Sequence, residues 1–432
     1  MTPLVVALPF VGVLGAVVLV VGVLLLLGGL LRLCFVPLAI IAEIRDRRAS
    51  AGPIGLGPMF TEPPTVAVVV PAYNEGVVIE ACVASIVATD YPRLRSDCVD
   101  DGSSDDTFER IQRLAAQHPQ VRALHQDNAG KGAALNTGVD ASESDIVVMV
   151  DADGVFRRDT LTWLLRGFRD ERVGAVGGND QPGNLDRVQT CLLALISHVG
   201  TGLVRRALGL VDALPVVSGN LGAYRRDVLE LTGPVHTDSL GEDLELTWRV
   251  HRVGYRVTFS PRALVFAESP STLHDLWRQR VRWARGLLQT VALHRRMVGN
   301  PRYGAFGVYL LYNTVTQIAG PFLWLLGVAS LASLVAVDGT SWLPETWLGW
   351  VLAIGLLASL ALLLLALVLD DALGDLRHVW TVPLWPLYST LMSFVMLDAV
   401  RLELGRAENR WNKARRSGSV TVRGRDAVGP GS

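Results

Sequence analysis

Apolar positions crowd the two ends of the chain, and the middle alternates. Residues 1–42 form one long hydrophobic segment whose densest run goes from Val5 to Leu31. One membrane crossing takes about 20 residues, so the excess can tilt or lie at the interface. Residues 43–64 are polar, with Gly and Pro, and read as a linker. Short β-branched runs then alternate with helical stretches. Thr65–Val70 reads as a buried strand stopped by Pro71, and 77–88 as a helix. Residues 94–99 form a second strand weakened by Ser96 and Asp97. Residues 107–116 are helical, 121–124 form a short strand, and a helix starts at Lys131. Asp145–Val150 is a strong strand that ends at Asp151. This alternation predicts βαβ units and a mostly parallel sheet.

The remainder is less regular. Residues 160–169 read as helix, 174–178 as an edge or turn, 187–207 as a long helical stretch of mixed polarity, and 242–252 as a helix with an acidic start. Ser271–Arg296 is amphipathic, setting Leu273, Leu276, Trp277, Trp283 and Leu287 against Arg278, Arg280, Arg282 and Arg285. It reads as a helix at the membrane surface that closes a site, against the plainer alternative of a basic surface helix. Phe306–Val337 is apolar around Gly320 and Pro321, Leu348–Leu369 is a clean span, and 382–396 is shorter and Pro-interrupted. The organisation expected is a membrane region over 1–42, the linker 43–64, an α/β domain over 65–270, an interface helix region over 271–300, a second membrane region over 301–400 and a basic tail over 401–432.

Composition sharpens this. Half of the 432 residues are hydrophobic and 19% are charged, and the excess sits at the ends. The net charge of −1 offers no field for nucleic acid. Cys34, Cys82, Cys98 and Cys191 share no CxxC spacing, which argues against a zinc site or redox motif; Cys34 lies in the apolar N-terminal region, and the other three read as small apolar fillers in a reducing compartment. The first apolar run is too long for a signal peptide and lacks a basic start. The flank Arg45, Arg47 and Arg48 places the following domain in the cytoplasm and the N-terminus outside. Three further crossings would leave the basic tail outside, against the positive-inside tendency. Either 306–337 folds as two half-segments or one segment does not cross.

Four signals sit where a parallel sheet presents its ligand loops. Pro71-Ala72-Tyr73-Asn74-Glu75 follows the first strand, and Val99-Asp100-Asp101-Gly102-Ser103 follows the second. Each has a bland reading as a turn or cap, but capping explains only one or two of the acidic residues in the second. Asn128-Ala129-Gly130-Lys131-Gly132 resembles a phosphate loop without being a Walker A motif, and Lys131 is placed to hold a phosphate or a ribose hydroxyl. Asp151-Ala152-Asp153 leaves a buried strand end, where two carboxylates cannot both face an apolar core. A hard divalent cation shared with a diphosphate would use both. Further on, Gly241-Glu242-Asp243 opens a helix, offering Asp243 as a general base or simply as an acidic cap. Gln279-Arg280-Val281-Arg282-Trp283 lies on the amphipathic helix, with Arg282 and Trp283 one turn beyond Gln279.

As a set, PAYNE at 71–75, VDDGSSDDT at 99–107, NAGKGAALN at 128–136, DAD at 151–153, GED at 241–243 and QRVRW at 279–283 resemble glycosyltransferase family 2, especially its membrane-integral branch of cellulose, chitin, hyaluronan and poly-N-acetylglucosamine synthases. The resemblance covers about residues 65–290. It implies a nucleotide-sugar-binding glycosyltransferase A-type α/β fold flanked by transmembrane helices, and an inverting transfer from a UDP-sugar in a multi-pass cell-membrane enzyme. By likeness Ala72, Tyr73, Glu75, Asp101, Lys131 and Asp151 would line the nucleotide, and Asp153 would bind Mg2+ or Mn2+. Asp243 would be the base. Gln279 and Arg282 would serve the diphosphate, and Trp283 would lie beneath the acceptor. Ser218, Gly219 and Asn220 resemble the acceptor-side segment, though a structural turn also explains the glycine. Gly241 departs from the threonine of many members. The resemblance leads to a processive polysaccharide synthase. A single-addition transferase acting on a lipid-linked acceptor such as a polyprenyl phosphate, and an inactive membrane scaffold, stand as alternatives. Accessory subunits are not legible.

Overall fold

The computed structural model describes residues 3–50, 60, 62–339, 347–409, 416, 418 and 420. The part between the apolar ends is built on eight strands: β1 (Val66–Ala72), β2 (Leu94–Asp101), β3 (Val121–Gln126), β4 (Ile146–Met149), β5 (Val155–Phe156), β6 (Val173–Pro182), β7 (Gly222–Arg225) and β8 (Arg256–Ala267). They form one sheet in the order β3-β2-β1-β4-β7-β6-β8-β5. β1 to β4 pair in parallel and so do β6 and β8, while β7 and β5 run antiparallel to their neighbours. The expected mostly parallel α/β sheet is therefore present, with antiparallel insertions.

Alternation along β1 explains its burial on both faces. Val66, Val68 and Val70 pack with Ile79, Val83 and Ile86 of the helix Ile79–Val87. Val69 packs on the opposite face with Leu135 of the helix Lys131–Asp140. Of the polar residues that weaken β2 on paper, Ser96 Oγ meets Cys98 Sγ of the same strand at 3.6 Å and Asp97 is paired across the sheet. Asp97 Oδ1 accepts from Arg122 Nε of β3 at 2.8 Å, directly opposite in register. β1 lies between β2 and β4, so the loops after these three strands open at one crevice.

Three expectations change. Residues 174–178 are not an edge or turn but the body of β6, an interior strand between β7 and β8. Its Gly-Gly pair hides the strand pattern, and β8, which flanks it, carries Ser-Pro in mid-run. The helix Phe35–Ser50 runs into the stretch read as linker. Residues 301–337 form one helical run, with a π-turn over Val315–Ala319 that takes up Pro321, rather than two half-segments. The four cysteines are free.

Among the described residues, Val13–Arg48, Val188–Leu210 and Pro301–Val337 are long and apolar enough to cross a membrane. The first and third have only 11% of their apolar window buried within the protein, whereas Val188–Leu210 has 61%. That middle helix packs between β6 and the membrane helices and so fills a layer inside the protein. With the apolar helix Trp347–Leu369, the chain is a multi-pass membrane protein. A buried ionic cluster ties the two halves. Arg206 reaches Glu43 Oε2 at 3.1 Å and Asp370 Oδ1 at 2.5 Å, and His198 Nδ1 meets Asp370 Oδ2 at 2.6 Å.

Candidate active site

The loops after β1 and β2 lock together before any ligand arrives. Asn74, at φ 52°, accepts from Ser104 N at 2.8 Å, and Thr107 Oγ1 accepts from Glu75 N at 2.8 Å. Ala72 and Glu75 are buried. Asp101 is buried as well, and its carboxylate accepts from Gln126 Nε2 at 2.8 Å and from Ala129 N and Gly130 N at 2.9 Å. Its own chain thus takes up most of its acceptor capacity, which fixes the loop that leads to Lys131.

Lys131 begins the helix Lys131–Asp140, but it does not stand free to meet a phosphate. Its Nζ lies 2.7 Å from Asp151 Oδ1 and 2.8 Å from Glu242 Oε1. Burial alone would lower its pKa, yet Asp151, Glu242 and the nearby Asp243 raise it above the ordinary lysine value, so it is a fixed cation. Glu242 was not singled out from the sequence, although it stands beside Asp243. The signal was the adjacency of two acids, one of which must find a counter-ion when buried.

Asp243 opens the helix Glu242–Arg252. Its Oδ2 accepts from Gly219 N at 2.9 Å and its Oδ1 from Leu244 N at 2.7 Å. Burial pushes its pKa up, Glu242 adds to this, and Lys131 opposes it. Gly219 passes tightly beside the Lys131 ammonium, since a Cβ on it would come 3.0 Å from Lys131 Nζ. Its neighbour Asn220 donates to Asp180 Oδ1 at 3.0 Å and lies against Gly154, next to Asp153. The segment Ser218-Gly219-Asn220 therefore joins the two acidic motifs. Asp180 is a further buried carboxylate that sequence reasoning missed, pushed up to about 7 chiefly by burial.

Asp153 is 5% exposed. Its Oδ2 accepts from Glu268 N at 3.2 Å and faces Arg416 Nη1 at 2.8 Å. Burial pushes its pKa up, against the opposing pull of Arg416. No group of three or more His, Cys, Asp or Glu is arranged to hold a metal among the described residues. Two carboxylates suit a hard cation that takes its remaining ligands from a diphosphate and water. The guanidinium at Asp153 marks the same spot as one that accepts positive charge.

The QxxRW residues ride on the helix Leu273–Leu293, whose start Thr272 caps by accepting from Asp275 N at 3.1 Å. This helix meets the GED turn glycine to glycine. A Cβ on Gly241 would lie 3.1 Å from Gly286 Cα, and one on Gly286 would lie 2.8 Å from Gly241 N. The departure from threonine at 241 thus has a packing reason. Gln279 and Arg282 make no hydrogen bond or ion pair among the described residues. Trp283 is 48% exposed, with the Arg280 guanidinium 4.1 Å over its ring. The structure does not bring these three into contact with Asp151 or Asp153.

Comparisons with known proteins agree with this architecture. A family model described as glycosyltransferase like family 2 matches residues 63–286. The poly-beta-1,6-N-acetyl-D-glucosamine synthases of Staphylococcus aureus (strain COL) and Staphylococcus epidermidis are each 32% identical over 219 residues, covering 50% of this chain and 52% of theirs. The chain spans about half the length of these curated relatives. A solved mannosyltransferase from Pyrobaculum calidifontis, in complex with GDP-Man and Mn2+, matches in fold with a TM-score of 0.60 and 24% identity, over 91% of this chain and 100% of that one. The matched region contains every motif described above up to the QxxRW helix, and the chain belongs to glycosyltransferase family 2.

Proposed function

We propose that the protein is an inverting, metal-assisted glycosyltransferase that moves a sugar from a UDP-sugar onto a growing glycan at the cytoplasmic face of a cell membrane. The observation that carries this is the Lys131–Asp151–Glu242 network. It sets a fixed cation between the DxD turn and the helix that presents Asp243. In this reading Asp243 takes the proton of the acceptor hydroxyl, and that oxygen attacks the anomeric carbon opposite the leaving diphosphate. Burial and Glu242 raise the Asp243 pKa above the ordinary aspartate value, the direction that strengthens a general base. Asp153, with Asp151, would hold Mg2+ or Mn2+, which when bound neutralises the leaving diphosphate. Ala72, Tyr73, Glu75 and Asp101 form the nucleotide wall, with Asp101 acting largely through the loop it fixes. Gln279 and Arg282 have free donors for phosphate oxygens, and Trp283 offers an aromatic surface to the acceptor.

Processive extension is supported by the half-exposed Trp283 beside the membrane helices. The cytoplasmic placement is supported by Arg45, Arg47 and Arg48 after the first apolar helix. The test is a panel of UDP- and GDP-sugars given to the purified protein in nanodiscs, with mass analysis of products. A polymer made from one UDP-sugar is expected. A single sugar on a lipid would establish the single-addition alternative, and turnover of GDP-sugars alone would refute the donor assignment.

A further inference from the structure

Between the helix Arg205–Leu210 and β7, residues 211–221 are held by one face of the helix Glu242–Arg252. Three side chains of that helix, at i, i+4 and i+8, supply the contacts, so they stand in a row. Asp243 Oδ2 accepts from Gly219 N at 2.9 Å, and Thr247 Oγ1 accepts from Val217 N at 2.9 Å. His251 Nε2 meets Leu214 O at 3.0 Å. A carbonyl only accepts, so this nitrogen carries the proton. Burial pushes the His251 pKa down to about 4, so the ring is neutral. Thr247, Val217 and Leu214 are fully buried. The Thr247 hydroxyl also donates to Asp243 O at 2.7 Å, a bond that stays within the helix. Its bond from Val217 N is the one that reaches another segment. The last rung meets the membrane part. The His251 ring stacks on Phe306 of the helix Gly304–Thr314, with centroids 3.7 Å apart and planes at 13°.

We infer that Thr247 and His251 are positioning residues for Asp243: they fix the segment that supplies the Gly219 N–H, and with it the direction of the Asp243 carboxylate. This rests on the reading of Asp243 as the base. One of the two backbone bonds to that carboxylate, from Leu244 N, is made by its own helix. The other comes from a residue 24 positions away in the chain and depends on where Val217 is held. Without an acceptor at 247, Val217 N would be buried and unpaired, a costly state that the segment relieves only by shifting. Gly219 would shift with it. The Gly219 bond favours the charged form of Asp243, so loosening it raises the Asp243 pKa. The other charged or titratable groups around Asp243 are Glu242, Lys131, Arg205 and Tyr224, and Tyr224 lies against Thr247 as well.

The experiment measures kcat, donor KM and the pH profile of the full chain in nanodiscs, with the nucleotide sugar that the wild type turns over. Thr247→Val removes the acceptor and keeps the volume, and Thr247→Ala removes it without adding bulk. Each is expected to lower kcat about tenfold or more with little change in donor KM, since misplacing a reacting group is costly. Each should also move the acid limb of kcat/KM to higher pH. Thr247→Ser keeps the hydroxyl and should return both kcat and the limb close to wild type. His251→Leu should move the limb in the same direction by less, because it acts through one further rung. A threonine that only fills the core would lower the melting temperature and leave the limb in place. An unmoved limb in folded Thr247→Ala, or a Thr247→Ser that falls as far as Thr247→Ala, would overturn the inference. If Asp243→Asn turns over like wild type, the base reading itself fails. An inactive Asp243→Asn beside an unaffected Thr247→Ala defeats the positioning role alone.

Discussion

The two sides of the candidate site are built differently. On the donor side Lys131, Asp151 and Glu242 are interlocked at 2.7–2.8 Å, and Asp243 is held by two backbone N–H groups. On the QxxRW side Gln279 and Arg282 make no such bonds, and Trp283 stands half exposed under Arg280. In the proposed reading this side is pre-organised, its charges aimed where the leaving group would develop charge, so little reorganisation is needed. The QxxRW side keeps its hydrogen-bond donors unspent, which in the proposed reading leaves Gln279 and Arg282 for the diphosphate and Trp283 for the acceptor.

The contrast can be broken from either side. Asp243→Asn should cost the most, about 10²–10⁴-fold in transfer, because it removes the base while leaving its hydrogen-bonding shape. Single-turnover assays on folded protein measure this, and near wild-type transfer would remove Asp243 from the chemistry. Since the folded Asp243 pKa is raised, activity should fall on acidification at a pH above the usual carboxylate range.

Glu242→Gln is expected to act through that same group. Glu242 raises the Asp243 pKa, so neutralising it should move the acid limb of the kcat/KM profile to lower pH. An unmoved limb would mean the pair is not coupled in function. The rate should drop less than in Asp243→Asn, because Lys131 keeps Asp151.

Trp283→Ala probes the open side. Donor turnover should persist while product length collapses, a split read from nucleotide released against chain length. Equal loss of both would make Trp283 a membrane anchor only. The smallest effect is structural. Gly241→Val drives a side chain against the Gly286 backbone and should destabilise by about 1–3 kcal/mol, seen as a lower melting temperature.

The sequence announced the donor side because its residues sit in contiguous motifs at strand ends, where the βα alternation predicts a crevice. β1 and β4 are legible since their β-branched runs are buried on both faces. β6 and β8 were not, because Gly177-Gly178 and Ser260-Pro261 interrupt the pattern that pairing in the sheet overrides. The partners of the motif residues were also hidden. Nothing local links Lys131 to Glu242, Asn220 to Asp180, or Arg416 to Asp153, since these contacts depend on how distant loops converge. The glycine at 241 likewise answers to a distant residue, Gly286, whose backbone lies against it.

The central claim is a single displacement with Asp243 as base, and the anomeric configuration of the new linkage tests it most directly. With the donor identified from the panel, proton and carbon magnetic resonance of the isolated product reads that configuration. The account predicts inversion, a β-linkage from an α-linked donor sugar. A linkage that retains the donor configuration would contradict it.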